Sequence, residues 1–462
     1  MAVACGWFFT VVATENGDMY AFGMNGKDQL ALGPEHNIDF PAPHLHDHRV
    51  RFGGEEVAMV AASGQKGAVV TKQGSLWTWG DGHGIGNHAG RIGSEQFGHP
   101  LVMVGCGNTS TIVLTSFGGV WTSGRNDSLM PIDSDCFRSI HSGCFNNRKI
   151  VLVASGFKHF MAVDEDGMLW TWGDNFNGEL CVCRLTTLPR DGLNDLSRPI
   201  YASRQPIAIA PAKFHGDKVV HVAGGLHYTM VVTEDGTLWA CGVGYDGEMG
   251  IGIDQHTTEP RRVGGREIFG GSGVRMTACG TKHTLIVDTD NRVWACGAGY
   301  HCALGTGNSV DCRVPTLLPD TTDFTNGNVM SVSAGKRHSV AVMRDGTVYT
   351  WGKSVFLTPS GFARAGGTGH REHQDLPNPT QLDPALFHRA RIGHWHKRSW
   401  LDAHPEHGLA VAMGLHKRLG ADSFSASAPS ELLHSIVADG MRFKPKYSAG
   451  LLALMGLHDR DL

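Results

Sequence analysis

Three columns of glycine, repeated at the same spacing seven times, constrain this chain more than any other feature. The first column is Gly6, Gly64, Gly107, Gly156, Gly225, Gly280 and Gly335. The second is Gly17, Gly74, Gly118, Gly167, Gly236, Asn291 and Gly346, and the third is Gly23, Gly80, Gly124, Gly173, Gly242, Gly297 and Gly352. First and second columns lie 11 residues apart in six copies and 10 apart in the second copy, whereas second and third lie 6 apart in all seven. Between the last two columns every copy has an aromatic: Tyr20, Trp77, Trp121, Trp170, Trp239, Trp294 and Tyr349. Such a period marks a repeat architecture.

The unit between the columns reads as a β-hairpin. Mostly apolar runs with strand propensity lead into Asp-Gly or Asp-Asn turns, where glycine and asparagine accept the positive φ that a tight hairpin needs. The returning strand carries the aromatic, whose ring can wedge between neighbouring sheets. A lone hairpin with one or two outer strands cannot bury both faces, and stacking seven units in a ring solves this. The expected fold is therefore all-β, a seven-bladed β-propeller over residues 1–389, with a small C-terminal α-helical extension over residues 390–462.

Successive first-column glycines are 58, 43, 49, 69, 55 and 55 residues apart, so the length variation falls in connections. The longest excess, residues 184–218, is expected to project as an arm. Copy three loses the pattern after Gly124 and copy seven after Gly352. One route to ring closure would lay a terminal strand, residues 379–383, beside copy one.

Composition narrows the classes. Glycine is 62 of 462 residues, about twice the ~7% of ordinary chains, as short strands and tight turns require. A formal net charge of -4 gives the molecule no overall pull toward nucleic acid or an anionic membrane, so direct nucleic-acid binding is not expected. No apolar run reaches the ~18 residues of a membrane span. The first residues lack a basic segment and already belong to the first repeat, so no signal peptide is read and a cytoplasmic and/or nuclear location is expected. The 11 cysteines contain no Cys-x-x-Cys pair. Cys5, Cys106, Cys241, Cys279 and Cys296 sit beside repeat glycines as small buried hydrophobes, which suggests free thiols in a reducing compartment.

The best copies are Ala154-Ser-Gly-Phe-Lys-His-Phe-Met-Ala-Val-Asp-Glu-Asp-Gly-Met-Leu-Trp-Thr-Trp-Gly173 and Ala223-Gly-Gly-Leu-His-Tyr-Thr-Met-Val-Val-Thr-Glu-Asp-Gly-Thr-Leu-Trp-Ala-Cys-Gly242. The first continues as Asn175-Phe-Asn-Gly-Glu-Leu180, and copy one keeps Gln29-Leu-Ala-Leu-Gly33. These residues resemble the regulator-of-chromosome-condensation repeat family over about four fifths of the chain. The resemblance implies a seven-bladed propeller. Its founding member is a nucleotide-exchange factor for a nuclear small GTPase that also binds chromatin, and relatives include ubiquitin-ligase subunits, a plant ultraviolet-B photoreceptor and many scaffolds. The exchange factor's wedge comes from its third blade, whereas residues 125–134 here are a divergent copy without a clear equivalent. The photoreceptor's Gly-Trp-Arg-His-Thr survives only as Gly6-Trp-Phe-Phe-Thr10, which argues against ultraviolet sensing.

No His-Glu-x-x-His, nucleophile elbow or phosphate-binding loop is present, so no catalytic residue, cofactor site or metal site is assigned and no enzyme is expected. Among 26 histidines, His159, His283 and His338, with His227 one position displaced, recur at the repeat's own histidine position. There a hydrogen bond from blade to blade is a simpler role than metal ligation. Two residues after the first-column glycines stand Phe8, Lys66, Thr109, Lys158, His227, Lys282 and Arg337. Lys66, Lys158, His227, Lys282 and Arg337 thus form a candidate partner-binding basic face, opposite turns carrying Glu15, Asp166, Asp235, Asp290 and Asp345. The plainer alternative pairs these cations with adjacent carboxylates.

Beyond residue 390, Leu409, Ala412, Met413, His416 and Leu419 follow helical spacing. Glu431, Leu432, Leu433 and Ile436 form a second candidate helix, faintly similar to the opening of an F-box, with Ala428 where leucine belongs. A helical cap is the plainer reading. The expected function is a non-catalytic protein–protein interaction scaffold using a propeller face and the tail. The alternatives are a guanine-nucleotide exchange factor for a small GTPase and a substrate-recruiting ubiquitin-ligase subunit whose tail binds an adaptor.

Overall fold

The computed structural model describes residues 2–33, 38–81, 90–124, 137–182, 202–252, 256–319, 324, 329–357, 363–370 and 374–387. Chain contacts divide the sequence into a unit of residues 1–410 and a second of residues 411–462. The helices expected in the tail, Glu431 to Ile436 included, fall outside the described residues, as do residues 125–136 of copy three.

Seven four-stranded antiparallel sheets form the seven blades. Blade 4 shows the plan: Ile150–Ser155, His159–Asp164, Leu169–Asp174 and Ala202–Ile209 pair in sequence order. The second strand is buried along its whole length, because both of its faces pack against side chains of neighbouring blades. This explains why the repeat shows continuous apolar runs rather than strict alternation. First strands lie innermost, each against the first strands of the two flanking blades, and Val329–Ala334 of blade 7 meets Ala2–Cys5 of blade 1.

The ring closes side by side, without a swapped strand. Leu376–Gln381 is the outer strand of blade 7, paired with Val348–Gly352, and blade 1 takes all four strands from residues 2–46. Residues 379–383 therefore do not extend copy one. Part of the 184–218 excess also has a regular place, since Ala202–Ile209 is the outer strand of blade 4. In blade 7 a hairpin, Val355–Leu357 with Ala363–Ala365, precedes the outer strand.

Each repeat aromatic meets a phenylalanine edge to face. The pairs are Phe52–Trp77, Phe97–Trp121, Phe145–Trp170, Phe214–Trp239, Phe269–Trp294, Phe324–Tyr349 and Phe387–Tyr20, with ring centroids 4.9–5.8 Å apart. In six pairs the phenylalanine comes from the connection leading into the blade. Blade 1 has no preceding connection, and Phe387, at the end of the 3-10 turn Pro384–Phe387, fills that place. It joins Cys5, Val12, Tyr20, Phe22, Val340, Val342, Val348 and Leu382 in the apolar cluster that seals blade 7 to blade 1.

Outer strands carry their own protection. Five of them shift register against the third strand, and Pro43, Pro206, Pro260, Pro315 and Pro379 lie within those shifts. A proline offers no N–H at an open edge, so another strand cannot continue the ladder there.

Candidate functional site

The first-column loops gather around the mouth of the central channel on one face of the ring. Backbone hydrogen bonds link neighbouring loops: Trp7 N to Gly64 O (2.8 Å), Asn108 N to Phe157 O (2.9 Å), Phe157 N to Gly225 O (3.0 Å), Thr281 N to Gly335 O (3.2 Å) and Lys336 N to Trp7 O (3.2 Å). First-column glycines allow this close approach, since a Cβ on Gly280 would stand 2.5 Å from the carbonyl oxygen of Gly335 in the next blade. Third-column glycines do the same within a blade. Gly242 has φ +115, and a Cβ there would stand 2.3 Å from the carbonyl oxygen of His227.

Beneath these loops lies a repeated joint. His159 Nε2 meets Thr229 Oγ1 of blade 5 at 2.8 Å, His283 Nε2 meets Ser339 Oγ of blade 7 at 2.9 Å, and His338 Nε2 meets Thr10 Oγ1 of blade 1 at 3.1 Å. Each hydroxyl donates onward to a backbone carbonyl, of Glu179, Ala303 or Gly367. Its single proton is thus committed, so it accepts from histidine Nε2–H, which places a ring proton on Nε2. Burial pushes the imidazoles of His159 and His283 down to about 4 and that of His338 to about 3, in keeping with their neutral form. The expected blade-to-blade role of these three histidines is what the structure shows. In blade 5 the equivalent buried position belongs to Tyr228, which pairs with Gly242 as His159 pairs with Gly173.

Lys66 requires a correction. The missing residue in copy two shifts it one place along the strand, so that it pairs with Gly80 and occupies the buried histidine position. It is 1% exposed and donates to Ser110 O and Thr111 Oγ1 of blade 3. Burial lowers its ammonium pKa to about 8. Lys66 is thus a joint residue and no part of a docking face. Lys66→Glu is expected to lower stability by about 3–5 kcal/mol, since it buries an uncompensated carboxylate, whereas the half-buried Lys158 changed to Glu should alter stability by under about 0.5 kcal/mol. Thermal unfolding of the two variants checks this, and equal melting shifts would contradict the placement.

The other four candidates stay at the channel-mouth face, all partly exposed. His227 Nδ1 lies 3.7 Å from Glu179 Oε1, and Lys282 Nζ lies 2.7 Å from Asp246 Oδ2, so each base meets a carboxylate from the loop after the preceding blade's third strand. The bond to Asp246 raises the Lys282 pKa. Arg337 Nη1 is 3.2 Å from His301 Nε2, and its guanidinium stands 5.7 Å from the Tyr300 ring centroid. His301 Nδ1 in turn lies 3.0 Å from Asp375, which also pairs with Lys353. Burial pushes the carboxyl of Glu248, in the same belt, up to about 7.

At the centre, the column one residue after the first glycine supplies a feature that stacking only the next column misses. Trp7 of blade 1 and Phe157 of blade 4 stack at 6.1 Å with an interplanar angle of 13°. Lys336 Nζ sits 4.6 Å from the Trp7 ring centroid, a cation–π contact. The seven inner loops thus carry Lys158, His227, Lys282, Lys336 and Arg337 and no carboxylate. The opposite face is mixed rather than acidic: Arg148 pairs with Asp164 and Asp166, Arg292 with Asp288 and Asp290, and Lys72 with Glu56. Asp164 and Asp288 end the second strands of their blades, and their carboxylates accept the indole N–H of Trp170 and Trp294.

Among the described residues no cluster of three metal-ligating side chains occurs, and no helix is long and apolar enough to cross a membrane. One cysteine expectation changes: Cys181 and Cys241 form a disulfide between the loop after blade 4's third strand and blade 5, while Cys5, Cys106, Cys279 and Cys296 are free.

A sequence profile of the RCC1-like domain matches residues 57–398, and one of the regulator of chromosome condensation (RCC1) repeat matches residues 2–29. The chain belongs to the RCC1-like repeat family. It is 28% identical over 316 residues to the ultraviolet-B receptor UVR8 of Arabidopsis thaliana, covering 65% of this chain and 66% of that protein. It is 30% identical over 282 residues to the human E3 ubiquitin-protein ligase HERC2, covering 60% of this chain and 5% of the ligase. It therefore spans just under two thirds of the first relative and a small part of the second. Prp20p of Saccharomyces cerevisiae, solved by crystallography with a study of its binding to Gsp1p and histones, superposes with a TM-score of 0.64 at 21% identity, covering 82% of this chain and 87% of that one. This RCC1-like chain thus shares the seven-bladed fold.

Proposed function

We propose that this RCC1-like chain is a non-catalytic interaction scaffold whose channel-mouth face receives an acidic surface of a protein partner. The observation that carries the reading is the inner ring of loops around the Trp7–Phe157 stack, which bears Lys158, Lys282, Lys336, Arg337 and His227, with Asp246 and Glu179 meeting Lys282 and His227 from the loops outside it. An aromatic centre with a charged rim is the usual anatomy of a protein-binding hot spot, and rim charges govern encounter and partner choice. The candidates retained from the sequence are Lys158, His227, Lys282 and Arg337.

Combined Lys158→Glu, Lys282→Glu and Arg337→Glu changes are expected to reduce partner capture at least tenfold in a chain that still folds, its thermal transition lowered only modestly by loss of the Lys282–Asp246 and Arg337–His301 contacts. Capture by this variant equal to that of the parent chain would count against the reading. The second reading, exchange activity toward a small GTPase, rests on the founding member's role. Recovery of a small GTPase that prefers the nucleotide-free state would favour it. Recovery of a ligase adaptor only by chains retaining residues 390–462 would favour the ubiquitin-ligase alternative.

A further inference from the structure

Among the described residues, the backbone turns left-handed eight residues after the third-column glycine in every blade where that position is described: Ala31 (φ 57), Cys181 (φ 60), Gly250 (φ 69) and Gly305 (φ 76). Two blades use glycine, the residue suited to this conformation. Blade 4 places a cysteine there despite the conformational penalty that a side chain carries. The side chain of Cys181 is 1% exposed and reaches Cys241 on the third strand of blade 5, itself 0% exposed, across a Cα–Cα distance of 5.5 Å.

The next joint of the ring shows the same arrangement without the second sulfur. Cys296 of blade 6 is the counterpart of Cys241, but it faces Gly250 where Cys181 would be. It remains a free thiol whose Sγ donates to Glu248 O at 3.4 Å. Cys241 Sγ has the equivalent acceptor, Glu179 O, at 3.7 Å. Cys241 thus has two alternative partners, the sulfur of Cys181 and the carbonyl of Glu179. Glu179 also takes Thr229 on that carbonyl and faces His227 with its carboxylate.

We propose that Cys181 and Cys241 are a reversible redox staple that fixes the loop after blade 4's third strand, and with it the Glu179–His227 contact, to blade 5. The oxidant is a low-molecular-weight disulfide of the glutathione class. Opening of the loop after blade 4's third strand exposes Cys181, whose thiolate attacks the small disulfide and expels one thiolate. The thiolate of Cys241 then attacks the Cys181 sulfur of the mixed disulfide and expels the second. The two expelled thiolates take up the two protons lost by the cysteines, and the protein gives up two electrons. Reduction by two small thiols reverses these steps. Oxidation holds Glu179 against His227, and reduction frees this sector of the channel-mouth ring. Only this last consequence rests on the docking reading.

The test equilibrates the full chain in glutathione buffers of stepped oxidising ratio, quenches thiol exchange with acid, alkylates free thiols in denaturant so that buried ones react, and maps peptides by mass spectrometry. Amide hydrogen exchange of residues 175–181 is followed at the same ratios. Cys181 and Cys241 should leave the alkylated pool together while Cys279 and Cys296 stay in it, and exchange in residues 175–181 should slow at least tenfold on oxidation. Cys181→Gly, which installs the residue of blades 5 and 6, should exchange at the reduced rate at every ratio. Alkylation of Cys181 at all ratios, or identical exchange in both states, would overturn the staple. The parent-chain measurements decide the matter even if the variant folds poorly, and neither readout requires a partner.

Discussion

Phe387→Ala is expected to lower the free energy of unfolding by about 3–5 kcal/mol, the usual loss for deleting a buried phenylalanine ring. Phe387 is 3% exposed and sits 4.9 Å from the Tyr20 ring, 367 residues away in sequence. It supplies blade 1 with the contact that every other blade receives from its own preceding connection, so the deletion opens the seam between blades 7 and 1. Urea unfolding followed by circular dichroism measures the loss. The same substitution at Phe214, which packs on Trp239, should cost a similar amount inside the ring. A loss below about 1 kcal/mol at Phe387 alone would mean that the seam is sealed without it.

Acid should weaken the ring steeply, well above the pH at which most carboxylates titrate. His159, His283 and His338 are buried and neutral, with pKa values lowered to about 4, about 4 and about 3. An unfolded histidine titrates near 6.5, so below that pH the unfolded chain binds protons that the folded chain refuses. The stability these groups contribute is complete above pH ~6.5 and is lost as pH falls toward ~4. Each contributes up to about 1.4 kcal/mol per pH unit, so together the slope reaches about 4 kcal/mol per unit in that window. Urea midpoints at three pH values between 7.5 and 4.5 give the slope, with values on the order of those in the linkage relation. Replacing all three with glutamine, which keeps a donor but does not titrate, should remove their share of the slope and leave the opposed contributions of His46, lowered to about 3 by burial, and Glu248, raised to about 7. Equal stability across this window in the parent chain would contradict the neutral joint.

The ring itself was legible because its signals are local: a turn residue, an aromatic and a glycine within one hairpin. The joints were legible only in part. The histidine column was visible, but the threonine and serine that receive its hydrogen bonds lie in the next copy, some 56–70 residues on within the chain or 328 back across the seam. Lys66 departs from its column because one deleted residue slides a strand by one position, and in a strand that turns an exposed side chain into a buried one. The phenylalanine column could have been found. In six copies it stands 24 or 25 residues before the repeat aromatic, outside the hairpin that carries the rest of the repeat. The Trp7–Phe157 stack was hidden for a different reason. It joins blades 1 and 4 across the channel, and only the closed ring brings those residues together. The disulfide likewise joins residues 60 apart, and no Cys-x-x-Cys announced it.

Cross-linking the full chain to its captured partner with a lysine-reactive reagent, and mapping the linked lysines by mass spectrometry, tests the docking face most directly. Links concentrated at Lys158, Lys282 and Lys336 are the expected result. Links concentrated at Lys72, Lys149 and Lys218, which lie at the hairpin-turn end of the blades, would contradict it.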